Sequence, residues 1–291
     1  MTSNNFVLNR LFTKQVINDL IQNNSNDIYV TIIQQYLNDY KSYSNKEILN
    51  KIYTYMSKNY RNEYFYQNTL LNKLLLGRHS IKTTTALTQI PIERSKADFV
   101  LINGKAVVYE IKTELDSFDR LSTQLNDYYK AFDHVCVVTC EENIGKISEI
   151  VNNTKVGICI LSTANTLQFK KEPESNKQHL NHHSLFKVLR KYEYENIIIS
   201  CLGELPNATP AFYYDECLQL FKRIPLEKVY KLFLIELKKR NKDIPIDEFQ
   251  SVPYELKSIM YFSKTSHSQY EKLRKFLDTT YLEANKCIIH M

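Results

Sequence analysis

Asp98, Glu110 and Lys112 are residues of the types that hydrolytic chemistry uses, and they fall within one short stretch of the chain. Glu110 and Lys112 stand two apart in the run Val107-Val108-Tyr109-Glu110-Ile111-Lys112, so on an extended strand they project to the same face. The run is otherwise apolar, and a charge buried in it needs compensation. A divalent cation held by Asp98 and Glu110 is the simplest compensation, and Mg2+ or Mn2+ suits such an all-oxygen ligand set. Such an ion activates a water and neutralises charge on a phosphate. Lys112 then orients that water or stabilises the transition state, so phosphodiester hydrolysis is the chemistry expected. The competing reading is a plain ion pair between Glu110 and Lys112 on an edge strand, with Asp98 a residue that starts a strand.

The positioning elements are legible in the surrounding pattern. Ala97–Ile102 and Ala106–Lys112 read as strands joined by Asn103-Gly104, a strong hairpin signal. A strict two-residue turn would set Asp98 opposite Tyr109 and point it away from Glu110. A bulged or three-residue turn with a left-handed glycine restores a common face, and that turn is expected here. Thr83–Ile92 precedes them as a further strand, and His134–Thr139, Val156–Leu161 and Thr166–Phe169 follow. The central runs are almost wholly apolar, as in strands buried on both faces. Asp116 is positioned to cap a helix running to about Phe132.

Residues 5–76 read as helical, with Ile28, Ile32, Tyr36 and Tyr40 at four-residue spacing and a capping-box pattern at Ser44–Glu47. A further amphipathic segment from about Tyr60 stops at Gly77, a candidate left-handed helix terminator. Residues 173–184 read as a polar linker or exposed loop, and the chain beyond about Asn176 as mainly helical. Leu226–Leu237 is a clear amphipathic helix ending in Lys238-Lys239-Arg240, cations that either meet nucleic acid or complement the helix dipole.

Composition narrows the function classes. Of 291 residues, 43% are apolar, enough for a sizeable core, and the net charge of +6 permits a polyanionic partner without requiring one. With 5 glycines and no Walker or dinucleotide fingerprint, the composition argues against phosphate-cradling Gly-rich loops. Cys136, Cys140, Cys159, Cys201, Cys217 and Cys287 form no C-x-x-C pair, so neither a zinc ribbon nor a redox motif is indicated. His182-His183 has no partner at metal-ligand spacing and reads as structural. Residues 1–20 lack the order of a signal peptide, and no apolar stretch is long enough to span a bilayer, so a soluble cytoplasmic protein is expected.

Asp98 followed across a hairpin by Glu110-x-Lys112 resembles the PD-(D/E)XK nuclease superfamily. Ala97 stands where the superfamily's name has proline, a departure that removes no ligand. The resemblance covers residues 58–170 and implies an α/β fold with a restriction-endonuclease-like α-β-β-β-α-β core and a mixed sheet. Glu63, in the helix before the first strand, looks like the extra acidic residue that many members carry, which would make it a third metal ligand beside Asp98 and Glu110. Gln124-Leu-Asn-Asp-Tyr128 is similar to the Q-x-x-x-Y motif of the RecB-like branch, implying that Gln124 and Tyr128 meet substrate or support the metal site. The four-cysteine iron–sulfur cluster of some RecB-like members is not expected, because the close cysteine group is lacking.

The organisation expected is a helical region at 1–57, a nuclease-like core at 58–172 and a helical region at 173–291, the flanks selecting substrate, a second copy or a protein partner. The function expected is Mg2+- or Mn2+-dependent hydrolysis of nucleic acid, with DNA the expected substrate. The alternative is an inactive protein of the same fold that binds nucleic acid or another protein.

Overall fold

The computed structural model describes residues 5–241 and 243–281, so Cys287 lies outside the described residues. The chain forms two compact units, Met1–Arg78 with Asp243–Met291, and His79–Lys242.

The first unit is helical because its sequence caps and stripes its helices. They are α1 (Leu8–Leu11), α2 (Lys14–Asn23), α3 (Asp27–Tyr36), α4 (Asn45–Asn59) and α5 (Glu63–Leu70). The side chains of Thr13, Asn26, Ser44 and Asn62 accept from backbone amides of the turns they open, and Ser44 with Glu47 forms the expected capping box. Gly77 does not terminate a helix in the left-handed region. Instead α5 widens into a π-helical stretch, Leu71–Arg78, that includes it.

The second unit carries the sheet. Its strands are β1 (Thr85–Ile92), β2 (Ser95–Asn103), β3 (Lys105–Lys112), β4 (His134–Thr139), β5 (Gly157–Leu161) and β6 (Leu167–Lys171), adjacent in chain order. β1 to β3 are antiparallel, β3, β4 and β5 are parallel, and β6 returns antiparallel to β5. Parallel neighbours need crossovers, which α6 (Leu121–Tyr128) and α7 (Ile144–Ile150) provide. α6 starts at Leu121 and not at Asp116. The Asp116 carboxylate turns back to the Thr113 amide and hydroxyl, both at 2.8 Å, and closes a local turn instead of capping a helix.

α8 (His182–Val188), α9 (Lys191–Leu202), α10 (Pro210–Lys222) and α11 (Leu226–Lys238) complete this unit. Phe186, Ile198, Phe221 and Phe233 share one apolar core with Val100, Val108, Tyr128 and Val137 of the sheet and α6. The helical region expected at 173–291 is therefore divided, its first four helices packing on the sheet. Arg240, from the basic cluster, makes a buried two-pronged ion pair with Glu193 at 2.5 and 2.7 Å, and Lys239 pairs with Glu236 at 2.5 Å. These cations are engaged within the fold.

α12 (Ile246–Ser251), α13 (Lys257–Phe262) and α14 (His267–Asp278) belong to the first unit. Buried amides join them to the N-terminal helices. Asn45 donates to the carbonyls of Phe276 and Thr279 and accepts from the Tyr29 hydroxyl. Asn68 donates to the Tyr254 carbonyl and accepts from the Ser258 amide. Among the described residues no helix is long and apolar enough to cross a membrane, and Cys136, Cys140, Cys159, Cys201 and Cys217 are free thiols.

Candidate functional site

The hairpin turn decides whether two carboxylates meet. Asn103 pairs with Lys105 and Ile102 with Ala106, leaving Gly104 alone at the tip with φ 73°. The loop is thus odd in length, as expected, and its tip sits in the region that favours glycine. The register continues to Phe99 opposite Tyr109, so the next positions outward, Asp98 and Glu110, come level and share a face.

Beyond Phe99 the two strands part, and side chains take over. The Ile111 amide, which would seek a β2 carbonyl, donates to Asp98 Oδ2 at 2.9 Å. Alternation also slips here. The core receives Leu87 and then Ile90 from β1, and Val100 and then Ala97 from β2, with Gln89 at φ 54° between them. Such a left-handed non-glycine residue is strained, and strain of this kind clusters at sites that need a particular geometry.

Glu110 is 1% exposed and both its oxygens are engaged. Oε1 lies 3.2 Å from Lys112 Nζ, and Oε2 accepts from the Tyr128 hydroxyl at 2.5 Å. Lys112 Nζ donates in turn to Gln124 Oε1 at 3.0 Å. Gln124 and Tyr128, four apart on α6, therefore reach neighbouring β3 side chains from one helix face. α6 is tied down at the start of β2, where the Ser95 hydroxyl donates to Asp127 at 2.8 Å. The Lys112 strand end is fixed by β4, whose Thr139 hydroxyl donates to the Lys112 carbonyl at 2.8 Å.

Burial pushes the Tyr128 phenol far above its ordinary range, and the adjacent Glu110 and Asp98 charges push it further. It stays a neutral donor. Burial raises Asp127, but hydrogen bonds from Lys130 and Ser95 and the Lys130 charge outweigh this and hold it below the usual carboxylate range.

Five of the six candidate residues thus meet in the second unit: Asp98, Glu110, Lys112, Gln124 and Tyr128. Tyr128 is fully buried, so its hydroxyl serves Glu110 and does not line an open groove. Glu63 is the first residue of α5, exposed, in the first unit. A carboxylate in a helix's first turn also suits the helix dipole. Asp98 and Glu110 offer hard oxygen donors beside an ammonium, a set that fits Mg2+ or Mn2+ better than a soft metal.

Sequence reasoning missed the Asp98–Ile111 bond and the Ser95–Asp127 tie. Both join residues through backbone geometry that no spacing rule encodes. A further group lies nearby, where potential ligand atoms of Glu114, Cys140 and Glu142 fall within 4.8 Å of one another. Burial raises the Cys140 thiol, with a hydrogen bond to Glu142 and both carboxylate charges adding to it.

No curated protein and no solved structure matches the chain. Residues 56–252, more than half of the chain and spanning the sheet with its five convergent side chains, match the family described as bacteriophage P4 protein cII, and the chain belongs to that family.

Proposed function

We propose that this chain is a divalent-metal-dependent nuclease acting on DNA, with a restriction-endonuclease-like core and a cytoplasmic site of action. The observation that carries the reading is the convergence of Asp98, Glu110 and Lys112 at the point where β2 and β3 part. A buried carboxylate–ammonium pair is expensive unless used or compensated. An ordinary edge-strand ion pair would not be buried, nor joined by a strand-end aspartate and two side chains from a covering helix.

Asp98 and Glu110 are the residues that would hold the metal, and the ion when bound would supply charge for the phosphate and a more acidic water. The chain's own residues do the rest. Asp98 is aimed by the Ile111 amide, which donates to its Oδ2. Tyr128 fixes Glu110 by one oxygen, and its neutral phenol adds no charge to the site. Lys112, kept in place by Gln124, presents a cationic donor where negative charge gathers on the phosphate in the transition state. Gln124 and Tyr128 act as positioning residues behind that group.

The test is cleavage of labelled single- and double-stranded DNA and RNA by the full chain. Cleavage should require Mg2+ or Mn2+, stop with EDTA, and fall about 100-fold or more in Lys112→Ala and Glu110→Gln with the circular dichroism unaltered. Absence of cleavage on all four substrates, with no Mg2+ or Mn2+ binding, refutes the proposal. Salt-dependent DNA binding that both variants retain would instead favour a protein that binds without cutting.

A further inference from the structure

Glu110 already carries a cation. Lys112 Nζ stands 3.2 Å from its Oε1, and the two side chains are only 10% and 1% exposed. Where water reaches so poorly, a carboxylate and an ammonium satisfy one another, and neither takes a new partner without cost.

The two partners of Glu110 differ in what they do to a metal ligand. Tyr128, on Oε2, is neutral and fully buried, and its hydroxyl also reaches the Lys96 carbonyl at 3.0 Å. It is a fixture of the fold and repels no cation. Lys112, on Oε1, has the same sign of charge as a metal ion. For Glu110 to serve as a ligand, Lys112 has to give up that oxygen.

The structure holds a second seat for it. Lys112 Nζ also donates to Gln124 Oε1, a neutral acceptor, at 3.0 Å. An ammonium has three hydrogens on a flexible four-carbon stem, so leaving one partner while keeping the other is a small motion. Seated on the amide alone, Lys112 keeps its charge, stays beside the carboxylates and has hydrogens to spare for a phosphate.

We propose that Lys112 is a latch on the metal-free site, neutralising Glu110 until a divalent cation loads and then resting on Gln124 Oε1. This rests on the reading of Asp98 and Glu110 as metal ligands, and it adds an order to that reading. The lysine becomes available to substrate only in the loaded site, and the latch lowers the affinity for metal. Gln124 is the positioning residue that makes the release possible.

Calorimetric titration of the full chain with Mg2+ and with Mn2+, without nucleic acid, tests this. Lys112→Met should bind either ion about tenfold more tightly than the unaltered chain, because no ammonium has to be displaced. Loss of a positive charge alone would act in the same direction, so a charge-neutral variant decides. Gln124→Met removes the second seat and should weaken binding about threefold, whereas a general field effect would leave it unmoved. Gln124 also interacts with the Tyr128 hydroxyl, and a double variant separates the two routes. With Lys112→Met in place the effect of Gln124→Met should vanish, since the seat matters only to the lysine. Lys112→Met leaves Glu110 charged and unpaired until metal arrives, so Mg2+ should raise its thermal midpoint more than that of the unaltered chain. If Lys112→Met is too unstable to titrate, Gln124→Met removes no charge and still carries the test.

No binding of either ion by the unaltered chain or by Lys112→Met refutes the metal site itself, and the latch with it. Binding that Lys112→Met weakens or leaves equal, that Gln124→Met leaves unchanged, or that Gln124→Met still weakens without Lys112, overturns the latch and leaves the metal site standing.

Discussion

A phenol 2.5 Å from a buried carboxylate orients that carboxylate and satisfies it at once. Removing the hydroxyl in Tyr128→Phe should cost about 1–3 kcal/mol of stability, because one oxygen of Glu110 loses its partner. If Tyr128 positions a metal ligand, the midpoint of Mg2+ dependence should also rise. A matched control lies in the same unit, where the Tyr230 hydroxyl donates to Asp133 at 2.6 Å. Tyr230→Phe should lose comparable stability while leaving the Mg2+ midpoint unmoved, and equal shifts in both would reduce Tyr128 to a structural role. Asp133 itself gives a pH prediction. Burial raises it, but hydrogen bonds from His134, Tyr230 and Ser175 outweigh this and hold it below the usual carboxylate range. A carboxyl depressed in the fold contributes stability that is present above its unfolded value, about 3.9, and is lost as pH falls through the folded value. Asp133→Asn should therefore lower stability at neutral pH and flatten the acid limb of a denaturation series below about pH 4. An acid limb unchanged by the substitution would show that Asp133 is not a source of it.

The turn is the element on which the site depends, and it shows why some features could be read and others not. Period-two runs around Asn103-Gly104 announce a hairpin, and the requirement that Asp98 and Glu110 share a face selects an odd loop; the register has that parity. Deleting Val107, within β3 and beyond the turn, should slide the outer part of the strand by one residue, bring Ile111 level with Asp98, turn Glu110 to the other face, and abolish cleavage. Gly104→Ala, at φ 73° with open space around the Cβ position, should cost only about 1 kcal/mol and keep the activity. A Val107 deletion that folds and cleaves normally would break the link between register and site. Features set by competing local bonds were not legible. Asp116 looks like a helix cap, but Thr113 captures its carboxylate first. Gly77 looks like a terminator, but the helix escapes by widening around it. The polar run read as a linker at 173–184 is held in place and contains the start of α8, because its order comes from backbone bonds to Asp133 and Lys155.

Amphipathic stripes told which helix faces are buried but not against what, so the whole-molecule division escaped the sequence. α8 to α11 belong with the sheet, and the ion pair between Glu193 and Arg240 joins residues far apart in the chain. Glu193 is fully buried, so Arg240→Ala should leave it uncompensated and cost about 3–5 kcal/mol, read from a denaturant midpoint. The first unit is discontinuous, and that has a sharper consequence. Its N-terminal helices bury Asn45 and Asn68, whose partners are supplied by residues 254–279. The second unit takes no residue from beyond Lys242. Ending the chain at Lys242 should therefore strand both amides and unfold the first unit while sparing the sheet. Hydrogen exchange read by mass spectrometry would follow this directly: amides of α4 and α5 should exchange far faster than in the full chain, while those of β3 and β4 keep their protection. The Mg2+ affinity of Asp98 and Glu110, both in the second unit, should then survive truncation. Loss of protection in both units together would mean that they fold as one, and would overturn the division.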